Sequence, residues 1–236
     1  MRDVAASLRA GDALHGVFVL SGSPVAVELI GRAGFDFVAI DCQHGVTSSD
    51  GEDLAGLIRA ADAAGVAPVV RLAGHEPAMV LKPLDLGAAA VIVPNVNTAE
   101  EARLAVEAAR YPPRGRRSAY PSARAAGYGT EGWRDFAARQ GRDALVFALI
   151  EEAEGLQNVE EIAAVDGLGG LYFGPFDLAL SVGDAAMAFD LEAHAENRER
   201  VYRAARGHGL PIGDLAWDAA SARILRDQGA TMIGVG

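Results

Sequence analysis

The chain has 236 residues, 50% of them hydrophobic, and a formal net charge of −11. The length matches one α/β barrel of ~250 residues, with enough apolar material for a large core. The acidic balance, with no basic block, argues against nucleic acid and anionic membranes as partners, and no apolar run approaches the ~20 residues of a membrane span.

The opening segment, MRDVAASLRAGDAL, lacks the apolar core and small-residue cleavage site of a secretory leader. Short Val/Ile/Leu/Phe-rich runs then alternate with Ala/Leu/Arg/Glu-rich stretches. Strands are expected at 15–19, 36–41, 67–71, 88–93, 144–150, 169–173, 211–213 and 231–235. Helices are expected near 24–33, 50–64, 76–85, 98–109, 132–139, 155–164, 191–207 and 218–228. Ser23-Pro24 opens the first of these helices with proline at its first position. Asn97-Thr98-Ala99-Glu100-Glu101 reads as an N-cap followed by first-turn acids, and Gly31, Gly65 and Gly87 close or follow helices. Eight strands alternating with helices predict a closed (β/α)₈ barrel, a TIM barrel, as a single domain over 1–236.

Two stretches depart from that plan. Residues 110–131, RYPPRGRRSAYPSARAAGYGTE, are too long and too rich in Pro, Gly and Arg for a simple connection, and loops of that length are usually functional or disordered. The chain also stops at Gly236, directly after the eighth strand signal. A missing eighth helix, cut from the chain or replaced by a partner subunit, is the expectation there.

Catalytic groups of a parallel barrel gather at the C-terminal ends of its strands. Asp41 and His44 follow FDFVAI, Arg71 follows APVV, Glu151 follows ALVFALI, and Asp177 follows GLYFG. Glu151 and Asp177 are candidate metal ligands, because hard divalent cations take one or two carboxylates and leave places for water and substrate oxygens. The alternative is two surface acids among the chain's 32. Glu152 and Glu154 fit a helix N-terminus better. His44, three residues after Asp41, suits acid–base work if the carboxylate fixes the imidazole; a turn histidine beside an Asx-turn aspartate is the alternative. Arg71 needs an anion, either a substrate oxyanion or an internal carboxylate. Gly174-Pro175 forms a tight turn whose following N–H groups suit a carboxylate. Cys42, the single cysteine, excludes an intramolecular disulfide and fits a reducing cytoplasm. It reads as packing. His75 is a rim candidate, and His15, His194 and His208 read as structural or solvated. Lys82, the only lysine against twenty arginines, falls in a helix-like segment and not at a strand end.

Together the motifs GFDFVAIDCQH, PVVR, DLGAAAVIVPNV, ARYPPRGRRS, LIEEAEGLQN and YFGPFDLALSVG resemble the HpcH/HpaI aldolase family of metal-dependent, class II pyruvate aldolases, over essentially the whole chain. The resemblance implies Glu151 and Asp177 as ligands of Mg²⁺, Mn²⁺ or Co²⁺, His44 with Asp41 as the acid–base pair, and Arg71 steadying an enolate oxygen. It implies substrate contacts from Gly174, Pro175, Phe176 and Leu149, and a segment near the substrate mouth with Arg117, Ser118 and Arg124. It also implies a homo-oligomer, a dimer-based hexamer, in which Asp85 serves a neighbouring subunit. Two positions depart from the family pattern. Gln43 stands where D-x-E-H has an acid, and Leu149 stands where a polar residue is common two before the metal glutamate.

The implied activity is reversible cleavage of 4-hydroxy-2-oxo acids, of the 4-hydroxy-2-oxoheptanedioate or 2-keto-3-deoxy-sugar-acid kind, into pyruvate or an analogue and an aldehyde. One rival is a lyase or synthase of this fold using acyl-CoA or oxaloacetate, like citrate lyase β, malyl-CoA lyase or a citrate synthase. Arg114, Arg116 and Arg117 would then hold CoA phosphates. The other rival is a non-catalytic binding protein, favoured only by Gln43 and Leu149.

Overall fold

A computed structural model of the chain describes residues 3–49, 51–183 and 191–236. Strands β1 Leu14–Val19, β2 Phe37–Asp41, β3 Ala67–Arg71, β4 Ala90–Val93, β5 Leu145–Ile150, β6 Gly170–Phe173, β7 Ile212–Ala216 and β8 Met232–Val235 run parallel in sequence order. β8 returns to β1, with Leu14 opposite Met232, so the sheet closes into the expected barrel.

The strands read as unbroken apolar runs because both faces are covered. Phe37, Val69, Ile92, Phe147 and Tyr172 point into the barrel, while Val38, Val70, Val91, Val146 and Leu171 pack outward on the helices. Close filling of the interior needs small residues opposite large ones: a Cβ on Gly213 would run into the Tyr172 ring.

Helices α1 Val4–Arg9, α2 Pro24–Arg32, α3 Glu52–Ala64, α4 Pro77–Leu86, α5 Ala99–Ala109 and α6 Trp133–Asp143 come first. They are followed by α7 Ala153–Gln157, α8 Val159–Ala163, α9 Pro175–Ser181, α10 Ala195–Gly207 and α11 Ala219–Asp227. The N-caps follow the sequence signals. Ser23 accepts from the Ala26 N–H ahead of α2, and Thr98 with Glu101 makes a full capping box on α5. None of the described helices is long and apolar enough to cross a membrane.

Several boundaries differ from expectation for identifiable reasons. β7 is longer than 211–213, because Asp214 hides it: a carboxylate interrupts the apolar run but is neutralised from outside by Arg198 (Nε to Oδ2, 2.9 Å) and the Tyr202 hydroxyl (2.8 Å). The helix expected at 155–164 is two short ones meeting at Asn158, whose amide donates to the Asn97 carbonyl at 2.8 Å. The helix expected from 191 begins at Ala195. The helix expected at 50–64 begins at Glu52, and Asp50 lies outside the described residues. Helices α1 and α9 and a 3₁₀ stretch at Arg124–Gly129 were not foreseen. Capped by Asp3, α1 contributes Val4, Ala5 and Leu8 to the interior cluster and so plugs the N-terminal end of the barrel.

Candidate active site

The hydrogen-bonded register of β2 and β3 sets Asp41 beside Arg71 at the C-terminal end of the barrel. Their side chains meet as a fork, Arg71 Nε to Asp41 Oδ1 at 2.9 Å and Nη2 to Oδ2 at 2.5 Å. Asp41 is fully buried, whereas the Arg71 side chain stays 17% exposed and lies over the Phe18 ring, 5.1 Å from its centroid. Burial pushes the Asp41 carboxyl up, but Arg71 and two backbone N–H groups more than offset this and hold it below the usual carboxylate range.

Those two N–H groups correct the expected Asp41–His44 pair. Asp41 Oδ1 accepts from the backbone of Gln43 (3.0 Å) and His44 (3.2 Å), not from the imidazole. The carboxylate shapes the turn after β2 and pairs with Arg71, while the His44 ring stands exposed at the cavity mouth. Cys42 beside it is buried, its thiol pushed up to about 12 by burial and then by the Asp41 charge, which makes it packing rather than a nucleophile.

Glu151 follows β5 and is 1% exposed. Its Oε1 accepts the Asn95 backbone N–H at 2.9 Å, a donor aimed by a left-handed turn at Asn95 (φ 52°) after β4. Burial pushes the Glu151 carboxyl up to about 7. The Asn95 N–H opposes that push, the Asp177 charge adds to it, and Arg71 and a hydrogen bond from Gln43 oppose it. Gly174 leaves the carboxylate its space: a Cβ there would lie 2.7 Å from Glu151 Cβ and 3.2 Å from Oε2. Glu152 caps α7 and accepts from the Asn95 (2.8 Å) and Asn97 (2.7 Å) amides, a structural role.

Asp177 sits in the first turn of α9, directly after β6. It lines a cavity of about 350 Å³ together with Glu151, Arg71 and His44. Gly174, Pro175, Phe176 and Leu149 complete the sequence-derived residues on that cavity. Two carboxylates on one cavity suit a hard divalent ion that keeps water and substrate oxygens in its remaining positions. Among the described residues no three His, Cys, Asp or Glu side chains gather where they could hold a metal ion.

Arg117, Ser118 and Arg124 are not brought to this cavity, which corrects their expected place. Arg117 is buried and bonds Asp85 (2.7 Å) and Gln140 (2.9 Å). Arg124 donates to the Leu86 carbonyl (2.7 Å) and pairs with Asp62. Ser118 is exposed beside Pro77 and Leu81. The reason is topological: residues 110–131 follow α5 and lead through α6 to β5, and the stretch between a barrel helix and the next strand lies at the N-terminal end of a barrel. Asp85, near the end of α4, lies at the same end and is held there by Arg117. Arg116 pairs with Glu107, and neither it nor Arg114 lines the cavity, so the CoA-phosphate groove expected of the arginine cluster is not at the site. His75 does not line the cavity either.

The sequence reading missed Asn95, whose Pro-Asn step after β4 was its only signal. It also missed the buried Arg198–Asp214–Tyr202 group, which reaches the cavity wall through the Tyr172 hydroxyl, a donor to the Asp214 carbonyl at 2.8 Å.

Lys82 is exposed on α4 and does not line the cavity. Borohydride added with pyruvate is therefore expected to leave the protein mass unchanged, and Lys82→Arg to stay active. A pyruvate-sized adduct mapped to Lys82, with loss of activity in Lys82→Arg, would replace metal-assisted chemistry by imine chemistry.

The profile described as HpcH/HpaI aldolase/citrate lyase matches residues 14–236. A 5-keto-4-deoxy-D-glucarate aldolase of Escherichia coli (strain K12) is 34% identical over 231 residues, 98% of this chain and 88% of that protein. Among solved structures, an HpcH/HpaI aldolase/citrate lyase family protein from Burkholderia cenocepacia J2315 superposes with a TM-score of 0.90 at 33% identity, covering 100% of this chain and 92% of that one. The citrate synthase SbnG superposes at 0.87 with 30% identity, covering 99% and 91%.

Proposed function

The chain belongs to the HpcH/HpaI aldolase/citrate lyase family and is a carbon–carbon lyase, and from that premise we propose that it reversibly cleaves 4-hydroxy-2-oxo acids to pyruvate, or a close analogue, and an aldehyde. The observation that carries the reading is the convergence of Glu151, Asp177, Arg71 and His44 on one cavity at the C-terminal end of the barrel. The relative from Escherichia coli is itself named as an aldolase. The arginine cluster that an acyl-CoA reaction would use lies elsewhere.

Glu151 and Asp177 would hold a divalent cation, Mg²⁺, Mn²⁺ or Co²⁺, which supplies Lewis-acid stabilisation of the charge that develops on the 2-oxo oxygen. Arg71 adds a fixed positive charge on the same side, and its pairing with Asp41 fixes the guanidinium before substrate arrives. The first turn of α9 has N–H groups without helical acceptors, which suit the substrate carboxylate beside Gly174, Pro175 and Phe176. In cleavage His44 takes the proton of the C4 hydroxyl as the C3–C4 bond breaks and the aldehyde forms. The electron pair passes to C3, and a proton returned through His44 or water completes pyruvate. Condensation runs these steps backwards.

One barrel unit spanning 1–236 carries the activity, in a homo-oligomer of the dimer-based hexameric kind. Val25 and Leu29, one turn apart on α2 and 63% and 65% exposed, support association. Arg117, Ser118, Arg124 or Asp85 would reach a substrate only across a subunit boundary. The reduced thiol of buried Cys42 suits the cytoplasm.

The test separates the two halves of the reaction. With Mg²⁺ or Mn²⁺ the protein is expected to release pyruvate from 4-hydroxy-2-oxopentanoate and to exchange the methyl protons of pyruvate with solvent. His44→Ala should lose cleavage by ~10²–10⁴-fold and keep a measurable part of the exchange. Equal loss of both would move His44 out of the C4 step. Neither activity in the wild-type protein would end the aldolase reading.

A further inference from the structure

We propose, on the basis of the metal assignment above, that Asn95 and Glu152 are positioning residues for Glu151, and that together they set its carboxylate for the cation before any ion arrives. The chain runs extended through Glu152 (φ −133°, ψ 155°), so the two acids that follow β5 point to opposite sides. Glu151 turns to the cavity. Glu152 turns to the loop between β4 and α5. There its Oε1 accepts from the Asn95 side-chain amide at 2.8 Å and its Oε2 from the Asn97 amide at 2.7 Å.

That grip matters because Asn95 is left-handed (φ 52°), a conformation costly to most residues and better tolerated by asparagine. With its side chain held by Glu152, the Asn95 backbone N–H is aimed at Glu151 Oε1, 2.9 Å away. The last torsion of an unheld glutamate is broad. The N–H narrows it and leaves Oε2 on the side of Gly174, the residue that opens α9 and precedes Asp177. The loop is itself anchored on both flanks. The Asn97 N–H donates to Glu101 Oε2 of the α5 capping box at 2.7 Å, and Asn97 Oδ1 accepts the Gly155 N–H of α7 at 3.0 Å. The Asn158 amide donates to the Asn97 carbonyl at 2.8 Å. A Cβ on Gly155 would lie 2.6 Å from the Val96 carbonyl oxygen, so there is no slack between the loop and α7. All of these contacts are made within one subunit.

Mn²⁺ titrations of the metal-free protein, followed by the EPR signal of the free ion well below each variant's Tm, test this without turnover. Asn95→Ala loses both the amide and the ease of the left-handed turn, and is expected to weaken Mn²⁺ binding by ~10–100-fold. Asn95→Gly keeps the turn but not the grip, and should lose less. Glu152→Gln leaves one acceptor oxygen for two amides and should weaken binding by ~10-fold. If Asn95→Ala does not fold, Glu152→Gln decides alone. Wild-type Mn²⁺ affinity in folded Glu152→Gln, whatever its Tm in chelator, would overturn the proposal and leave the loop as scaffolding. A wild-type protein that binds no Mn²⁺, with or without pyruvate, would end the metal assignment and this proposal with it.

Discussion

Glu151→Gln is expected to abolish metal-dependent cleavage and at the same time to stabilise the metal-free protein above neutral pH. Substitution of groups that merely support metal ligands costs ~10–100-fold in affinity or activity, so removing a ligand charge should exceed that. Chelation of the wild-type protein should give the same inactive state, reversed by Mg²⁺, Mn²⁺ or Co²⁺. The stability effect has the opposite sign. In the folded protein the Glu151 carboxyl is pushed up to about 7, from an ordinary value of 4.5, chiefly by burial. A raised carboxyl favours the folded state while it is protonated, and that advantage is lost as pH rises through the folded value. The metal-free wild type should therefore lose on the order of 3 kcal/mol between about pH 4.5 and pH 7, and the Glu151→Gln variant should not. Melting temperatures in chelator at pH 5 and pH 8, with Mn²⁺ titrations, measure both effects. A Glu151→Gln variant that binds Mn²⁺ like the wild type would remove Glu151 from the metal site.

Arg71→Ala is expected to damage stability and turnover together. It leaves the fully buried Asp41 charge without its partner, a change that typically costs ~3–5 kcal/mol. In a chain of this size that corresponds to a fall in Tm of roughly 6–20 °C. Wild-type Asp41 is held below the usual range, so its contribution is present above the unfolded carboxylate value and lost as pH falls through the folded one. In Arg71→Ala burial of Asp41 is opposed only by the Gln43 and His44 backbone N–H groups, so the gap in Tm between variant and wild type should shrink as the pH approaches 4. Arg71→Lys keeps the charge but not the planar fork, and should lose ~10²–10³-fold in turnover with a smaller drop in Tm. A Lys variant with wild-type turnover would leave Arg71 as a structural ion pair.

The barrel was legible in the chain because the strands are short, largely apolar runs and helices such as α2, α5 and α11 open on side-chain N-caps. Legibility failed where a tertiary partner changed the meaning of a residue. Asp214 looked like the end of β7 because its neutralising partners, Arg198 and Tyr202, lie on α10. Asp41 looked like an orienting partner for His44 at three residues' distance, yet the adjacent strand offered Arg71 in register and the turn offered two N–H groups. Asn95 was invisible because its contribution is a backbone N–H set by a positive φ, which its side chain does not announce. Residues 110–131 were legible in principle, since the stretch between one barrel helix and the next strand, here α5 to β5 by way of α6, belongs at the N-terminal end. Their arginine content suggested substrate binding, but Arg110, Arg117 and Arg124 are occupied by carbonyls and acids there.

The pairing of Asp41 with Arg71 also ties the site to strand register. Val69 faces the barrel interior and Val70 the helices, so Arg71 faces inward only in the register that sets it opposite Asp41. A slip of one residue between β2 and β3 would turn the guanidinium out against the helices and leave a bare carboxylate behind, a mispaired state penalised twice. The same ion pair thus discriminates between sheet alignments, since of the two only the observed register satisfies it.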